Sequence, residues 1–399
     1  MRRGRNMSAA SPTFVVELTP SGRAAVAVVL VTGPEALPAI DRCFAAANRR
    51  QIADAPIGRV LLGRWGGPAG EELIVCRRAA DQIEIHCHGG LAAVRAVTEQ
   101  LCELACQPMN WQDWLGRTVA DPIRAAAQIA LAEAPTARTA AILLDQFHGA
   151  LGAIMRQAMD GAAVGDWSAT IKSLDAAIMH RAVGLRLTTP WQVVIAGRPN
   201  VGKSSLMNAL VGYQRAIVCD LPGTTRDVVG ATTAIDGWPV HFSDTAGLHD
   251  TADELEAAGI ERANAALAGA DLVLLIDDAA DRPDFATSYN VENLRGLAAR
   301  LPRETMVLRV LNKIDLLPTQ VLARAGNHYD ALTSALAGQG IAALIAAVGR
   351  ALVPAPPPAG AAIPFAADQV AQLEAARAAA ERHDAAAVIA SLRPLLVSD

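Results

Sequence analysis

A glycine-rich segment in the middle of the chain has the residue pattern of a phosphate-binding loop. Residues 197–204 read GRPNVGKS and stand between a strand-like stretch, 192–196, and a helix-favouring stretch. The backbone N–H groups of such a loop can hold phosphate oxygens, and the positive end of the following helix favours the same anion. Lys203 would place a positive charge at the outer phosphates, and Ser204 would offer a hard oxygen to Mg²⁺. Taken by itself, the segment also fits a glycine-rich turn without function.

Two further motifs follow strand-like stretches in the order expected for a nucleotide site. Asp244–Gly247 reads DTAG, where an Asp at the end of a strand suits a magnesium shell and the glycine N–H can sense a γ-phosphate. Asn312–Asp315 reads NKID, and the carboxylate of Asp315 can accept hydrogen bonds from the N1 and N2 donors of guanine. Because adenine lacks that pair of donors, the motif predicts selection of GTP over ATP.

The remaining parts of the predicted site lie between and after these motifs. Thr225, within the sequence LPGTTRD, carries a hydroxyl that can complete the magnesium shell when a γ-phosphate is bound. Ser334–Leu336 falls where a loop would close over the base. The nucleotide-binding residues predicted from these motifs are Asn200, Val201, Gly202, Lys203, Ser204, Ser205, Thr225, Asp244, Thr245, Ala246, Gly247, Asn312, Lys313, Asp315, Ser334, Ala335 and Leu336.

The composition supports this interpretation and excludes other classes of protein. Lysine occurs only at Lys172, Lys203 and Lys313, so two of three lysines stand in nucleotide motifs, where arginine is a poor substitute. The chain is 52% hydrophobic and 19% charged, which excludes wholesale disorder. A net charge of -5 argues against binding to nucleic acid through a general positive surface.

The cysteines and the N-terminal residues predict the compartment. Six cysteines without disulfide or zinc-ribbon spacing fit a reducing compartment, and Met1–Asn6 is not followed by an apolar stretch. We therefore expect a cytoplasmic protein without membrane contact. His86, Cys87 and His88, with Cys102 and Cys106, could be imagined as a zinc site. A buried cysteine beside a turn histidine is the alternative, because neighbouring strand residues face opposite ways.

The pattern of strands and helices predicts an α/β protein: a doubly wound P-loop GTPase domain inserted in a helical domain, preceded by a small α/β N-terminal domain. We expect a helix over Ala36–Asn48, two or three helices over 119–187, and a parallel sheet after residue 190. An Ala-rich tail would fold back onto the earlier helices. The predicted domains are 1–118 (N-terminal), 119–189 (helical, first part), 190–352 (GTP-binding) and 353–399 (linker and helical, second part).

Several stretches resemble the tRNA-modification GTPase family MnmE, also called TrmE. Residues 197–210 read GRPNVGKSSLMNAL, 223–227 read GTTRD, and 244–263 read DTAGLHDTADELEAAGIERA, whose GIERA segment is the most specific. In the N-terminal part, Pro20–Arg23 leading to Val31–Pro34, and Ile83–Ile85 leading to His88–Gly90, are also similar. The likeness covers most of the chain.

The resemblance implies a catalytic mechanism. Leu248 stands where many small GTPases carry a water-orienting glutamine. The family's catalytic glutamate falls on Glu256, which would act with Lys203 and Thr225. The other interpretation of Glu256 is an exposed carboxylate on a helix. The family also implies a potassium ion in place of an arginine finger. The positions that would hold it are Asn200, Cys219, Leu221 and Thr224, where Cys219 replaces the usual threonine.

The resemblance further implies a homodimer, tRNA as substrate, a flavin-dependent partner protein and a folate site. Leu30 replaces an arginine of that folate site, Ala80 replaces a glutamate, and 121–132 lacks its lysine. The chain ends at 395–399 without the family's Cys-Ile-Gly-Lys type motif. Two hypotheses follow: a GTPase that assists wobble-uridine modification, or a regulatory GTPase that has lost folate and tRNA-modifying chemistry.

Overall fold

The computed structural model describes most of the chain, and these residues form two compact units. The described residues are 11–20, 22, 24–213, 230–244, 265–281 and 305–396. The first unit ends at Ala120 and the second begins at Asp121.

The first unit is a mixed sheet with helices on one face. Its described strands are β1 (Phe14–Glu17), β2 (Val26–Thr32), β3 (Phe44–Ala46), β4 (Val60–Trp65), β5 (Glu71–Ala79), β6 (Gln82–His88) and β7 (Gln107–Met109). Its described helices are α1 (Ala36–Cys43), α2 (Leu91–Glu103) and α3 (Trp111–Thr118). The strand order is β3-β4-β5-β6-β2-β1-β7, and β7 alone among these pairings runs parallel to its neighbour.

The helix expected over Ala36–Asn48 is shorter than the sequence predicted. It ends at Cys43, and Phe44–Ala46 continues as β3, paired with β4. The backbone hydrogen bonds to β4 and the burial of Phe44 outweigh the helical propensity of the two alanines.

The other face of this sheet carries exposed apolar side chains. Leu62, Ile74, His86 and Val28 lie side by side across four neighbouring strands. Val60 and Leu62 are 55% and 50% exposed, although both are large and apolar. Exposed apolar side chains on neighbouring strands of a sheet are typical of a surface that another protein covers.

The second unit begins with helices and continues as a sheet. The helices are α4 (Pro122–Ala132), α5 (Ala137–Phe147), α6 (Ala150–Ala163), α7 (Trp167–Ile178) and the short α8 (Arg181–Gly184). The expectation of two or three helices was therefore too low. Local caps divide the Ala-rich stretch: Thr136 and Asp166 accept backbone N–H groups, and Gly149 takes a left-handed conformation.

The second sheet is built mainly from parallel strands. Its described strands are β8 (Trp191–Gly197), β9 (Gly230–Ile235), β10 (Trp238–Asp244), β11 (Leu272–Asp278), β12 (Met306–Asn312) and β13 (Ala331–Leu332), in the order β13-β12-β11-β8-β10-β9. The helices α9 (Lys203–Tyr213), α10 (Thr319–Ala325) and α11 (Ile341–Leu352) follow β8, β12 and β13. The expected parallel sheet needs one correction: β9 is antiparallel, because the two-residue turn Asp236–Gly237 can join only antiparallel strands.

The C-terminal helices α12 (Ala367–Glu381) and α13 (Ala385–Leu392) pack against earlier helices of the same unit. Leu373 and Leu392 share an apolar core with Leu151 and Leu174, which belong to α6 and α7. The segment that leads to α12 is held by the buried Gln146, whose side chain donates to Ala361 O and accepts from the N–H of Ile363. None of the helices in the described ranges combines the length and apolar character that crossing a membrane requires.

Candidate nucleotide-binding site

The phosphate loop connects the carboxyl end of β8 to the first turn of α9. Asn200 and Gly202 both have positive φ angles, 65° and 90°, which turn the backbone inward. A Cβ on Gly202 would lie 2.5 Å from Asn312 Nδ2, so only glycine fits between the loop and β12. The conformation of the phosphate loop thus depends on its contact with Asn312–Asp315, the guanine motif, as well as on its own glycine.

Lys203 opens α9 and points back into the loop. Its Nζ donates to the carbonyl oxygens of Gly197 and Arg198 at 3.1 and 3.0 Å, and the residue is only 6% exposed. Burial lowers the pKa of Lys203, while the nearby carboxylate of Asp244 opposes that shift. An ammonium held by carbonyl groups, with little water around it, is suited to bind phosphate oxygens.

Ser204 and Asp244 come together beside the loop, as the sequence predicted for a magnesium site. Ser204 Oγ donates to Asp244 Oδ2 at 2.8 Å, and Asp244 is buried at the end of β10. A hydroxyl and a carboxylate next to a phosphate loop are the hard oxygen donors that Mg²⁺ prefers. The described donor set therefore fits this ion.

Asn312 connects three parts of the site. It is 1% exposed; its Nδ2 donates to Val201 O at 3.0 Å, and its Oδ1 accepts from the N–H of Ala335 at 3.1 Å. The hydroxyl of Thr333 lies 3.3 Å from the same oxygen. Asn312 therefore fixes the positions of the phosphate loop, the guanine motif and the base-side loop, Ser334–Leu336, relative to one another.

Lys313 joins the guanine motif to the phosphate loop by a second route. Its backbone is left-handed, with φ 63°, and its Nζ donates to Asn200 O at 2.8 Å. The same Nζ lies 2.6 Å from Asp278 Oδ2, at the end of β11. The sequence analysis missed Asp278 and Thr333, although the position of Asp278 at a strand end next to the site could have indicated it.

The base-side loop is ordered by hydrogen bonds at its first residue. Ser334 is fully buried, bonds through its N–H to Gln339 O, and accepts the N–H of Ala337 on its hydroxyl. Ala335 is half-buried, whereas Leu336 and Asp315 are exposed. An exposed carboxylate beside an ordered loop leaves Asp315 accessible to a base.

Part of the predicted site lies outside the described residues. Ser205 lies on the first turn of α9 and is exposed. The sequence-predicted positions outside the described ranges are Cys219, Leu221, Thr224, Thr225, Thr245, Ala246, Gly247 and Glu256.

The imagined zinc site has unsuitable geometry. Cys87 is buried in the core of the first unit, whereas His86 lies on the opposite face of β6 and pairs with Glu84 at 3.3 Å. Burial, assisted by the charge of Glu71, raises the pKa of Cys87 to about 11, which disfavours the thiolate that a metal needs. Among the described residues, no group of three or more His, Cys, Asp or Glu is placed to hold a metal ion.

Comparisons with known proteins extend the likeness over the chain. A family model described as 50S ribosome-binding GTPase matches residues 192–313. The tRNA modification GTPase MnmE of Alkalilimnicola ehrlichii is 34% identical, covering 84% of this chain and 81% of that protein. The protein of the same name from Methylorubrum populi is 35% identical, covering 82% and 78%. Among solved structures, Era in complex with MgGDPNP and ribosomal RNA is 29% identical over 42% of this chain and 58% of that one; its TM-score of 0.30 supports no conclusion on the overall fold.

The geometry and the comparisons lead to one assignment. The phosphate loop, the Ser204–Asp244 pair and the NKID motif meet at the carboxyl ends of neighbouring strands, which is where nucleotides bind in such sheets. The two relatives match four fifths of the chain, well beyond the nucleotide motifs. This chain is a GTP hydrolase and belongs to the MnmE family of tRNA modification GTPases.

Proposed function

We propose that GTP hydrolysis by this protein serves the modification of wobble uridine in tRNA. The observation that carries the GTP-binding part of the proposal is the junction at Asn312, which holds the phosphate loop and the base-side loop together. Such a junction makes binding of the phosphates depend on binding of the base. The tRNA part of the proposal rests on relatives that match about four fifths of the chain and are named tRNA modification GTPases.

Different residues would bind the phosphates, the guanine base and Mg²⁺. Lys203 and the backbone of the phosphate loop bind the phosphates, and Asp315 binds the guanine edge. Ser204, with Asp244 near it and Thr225 from the second predicted motif, would hold Mg²⁺. When bound, that ion neutralises the charge on the phosphates. The hydrogen bond between Ser204, in the first turn of α9, and Asp244, at the end of β10, supports this role.

We also propose a potassium ion near the phosphates and Glu256 as the residue that orients water. Asn200, Cys219, Leu221 and Thr224 would hold the potassium. Asn200 has a left-handed backbone, and its main-chain carbonyl accepts the hydrogen bond from Lys313. Because that bond does not use the side chain of Asn200, it is compatible with a role of the side chain in holding potassium. Cys219 would contribute through its carbonyl oxygen, for which the replacement of threonine is tolerable.

The proposed partners are a second copy of this chain, tRNA and the flavin-dependent protein of the MnmE family. The exposed apolar side chains of the first sheet support the homodimer, since Val60 and Leu62 are 55% and 50% exposed and would gain burial against a second copy. Replacement of Leu62 by Glu should shift sedimentation from dimer to monomer while leaving GTP turnover measurable. A wild-type monomer in the same experiment would contradict the homodimer.

We propose the domains as the sequence indicated them: 1–118, 119–189, 190–352 and 353–399, with the GTPase domain inserted in the helical one. The core that α12 and α13 share with α6 and α7 supports the insertion. A cytoplasmic location follows from a tRNA substrate and agrees with the free cysteines found among the described residues.

Base selection gives the first test of this function. The wild type should bind and hydrolyse GTP in preference to ATP, and Asp315→Asn should shift the preference towards xanthine nucleotides, whose ring has an acceptor where guanine has an amine. Asp330→Asn, which changes an exposed aspartate on the way to β13, is the matched control. Equal turnover of ATP and GTP by the wild type would contradict the assignment of Asp315.

The tRNA role needs a separate measurement. A bacterial strain that lacks its own MnmE should recover its modified wobble uridine when it expresses this chain, and Lys203→Ala should abolish the recovery. Mass spectrometry of tRNA nucleosides measures the outcome. Normal GTP turnover in vitro without any recovery would favour the regulatory GTPase instead.

A further inference from the structure

The β9–β10 hairpin connects the nucleotide site to the helices of the second unit. At one end, Asp244 closes β10 and accepts the hydroxyl of Ser204 at 2.8 Å. At the other end, Asp236 and Gly237 form the two-residue turn with φ angles of 49° and 76°. Two positive φ angles are typical of the tight turn that keeps two strands in fixed register. Asp244 lies seven residues beyond Gly237 in extended chain, a span of about 23 Å.

The turn of the hairpin is attached to the beginning of α5. Thr136 Oγ1 donates to Gly237 O at 2.6 Å, and the Arg138 guanidinium lies 5.1 Å from the centre of the Trp238 ring. A Cβ on Gly237 would lie 2.9 Å from Arg138 Cβ, so the two segments approach as closely as glycine permits. Thr136 is also the N-cap of α5, which fixes the direction of its hydroxyl.

The hairpin is packed from a second side as well. Ile235 and Trp238 share one buried core with Leu143 of α5. A Cβ on Gly349 of α11 would lie 3.1 Å from Ile235 Cγ2. Close-packed interiors have low compressibility and transmit strain. A shift of the turn should therefore displace β10 and its last residue, Asp244.

From this geometry we propose that Thr136 and Arg138 are positioning residues of the nucleotide site. They fix the turn of the β9–β10 hairpin at Gly237 and Trp238, and β10 carries that constraint to Asp244, which accepts the hydroxyl of Ser204. The inference rests on the proposed role of those two residues in holding Mg²⁺. By linkage, binding of Mg²⁺ and nucleotide must stabilise the contact between the hairpin and α5 by the same factor.

The test measures Mg²⁺-dependent binding of a fluorescent, non-hydrolysable GTP analogue. In Thr136→Val and Arg138→Gln, the Mg²⁺ concentration for half-maximal binding should rise about three- to tenfold, the range expected for one lost hydrogen bond or cation–π contact. Affinity without Mg²⁺ should stay unchanged, because the phosphate loop and the guanine motif are untouched. Thr136→Ser, which restores a hydroxyl, should bind as the wild type does.

Thr98→Val is the matched control, because Thr98 donates to a helix carbonyl in the first unit. Unchanged Mg²⁺ requirements in both Thr136→Val and Arg138→Gln, with lowered melting temperatures, would show that the contact only stabilises the fold and would overturn the proposal. Amide hydrogen exchange gives an independent readout in the wild type: Mg²⁺ and nucleotide should slow exchange in α5, and no change there would also overturn it. The Mg²⁺ dependence of analogue binding in Ser204→Ala, measured separately, tests the proposed Mg²⁺ role of Ser204 and Asp244 alone.

Discussion

Replacement of Asp278 by Asn tests whether the pairing of Lys313 contributes to nucleotide affinity. Lys313 Nζ is held between Asp278 Oδ2, at 2.6 Å, and Asn200 O, at 2.8 Å. The two side chains of the ion pair are 35% and 10% exposed. Asparagine keeps the shape of the side chain and removes its charge, so the ammonium loses its strongest partner while the bond to the phosphate loop remains.

The expected effect follows from the burial of the pair. A hydrogen bond to a charged group contributes ~1.5–3 kcal/mol. Since Lys313 is about a third exposed, solvent screening reduces this to ~1–2 kcal/mol. With a factor of ten for about 1.4 kcal/mol, GDP and GTP should bind about five- to thirtyfold more weakly. Preference for guanine over adenine should not change, because Asp315 is intact.

The assay is stopped-flow dissociation of a fluorescent GDP, compared between the wild type, Asp278→Asn and Asp330→Asn. Asp330 Oδ2 accepts the backbone N–H of Arg309 at 2.7 Å, a bond that asparagine can keep, and lies 3.5 Å from Arg309 Nε. Both side chains of this ion pair are 38% exposed, so loss of the charge should leave the dissociation rate unchanged. Wild-type dissociation from Asp278→Asn would refute the reasoning. A change in base preference would instead show that the pair between Asp278 and Lys313 also positions Asp315.

Three further predictions concern the ions, the folate site and the acid stability. GTP hydrolysis should be faster in potassium than in sodium chloride, and identical rates would show that Asn200 and its neighbours build no potassium site. Calorimetric titration with a reduced folate should show no binding, because Leu30 is buried and apolar and Ala80 has no carboxylate. Each lost charged partner costs ~1.5–3 kcal/mol of binding free energy. Tight binding would mean that other residues have rebuilt the folate pocket. Acid should lower the free energy of unfolding less in His241→Gln than in the wild type. Burial lowers the pKa of His241 below 6.5, so the unfolded chain takes up an extra proton as the pH falls through that value. Urea-unfolding curves that shift equally in the two proteins between about pH 7.5 and 5.5 would contradict this.

The strand ends of the nucleotide site could be predicted from the sequence. Gly202, Asp244 and Asn312 stand in patterns whose chemistry requires a strand before them, and the structure places each as expected. Asp278 and Thr136 carry no such pattern. Their roles arise from neighbours that are 35 and 101 residues away in the chain, and local spacing contains no information about such contacts.

The first sheet shows a second limit of sequence reasoning. The helix predicted over Ala36–Asn48 included residues 44–46, because alanine favours a helix. Pairing with β4 decided their conformation. Likewise, the antiparallel direction of β9 follows from a turn of two residues that the sequence analysis did not interpret as a hairpin.

The attachment of residues 361–363 to Gln146 has a consequence for synthesis of the chain. The side chain of Gln146 and its partner Ala361 are 215 residues apart, and Arg377 pairs with Asp175 over 202 residues. At roughly 5–20 residues per second, a ribosome needs about 10–40 s between these points. During that time α6 and α7 have left the ribosome without the helices that complete their core. The GTPase sheet should therefore fold first, and the core of the helices should close last, after translation of α13.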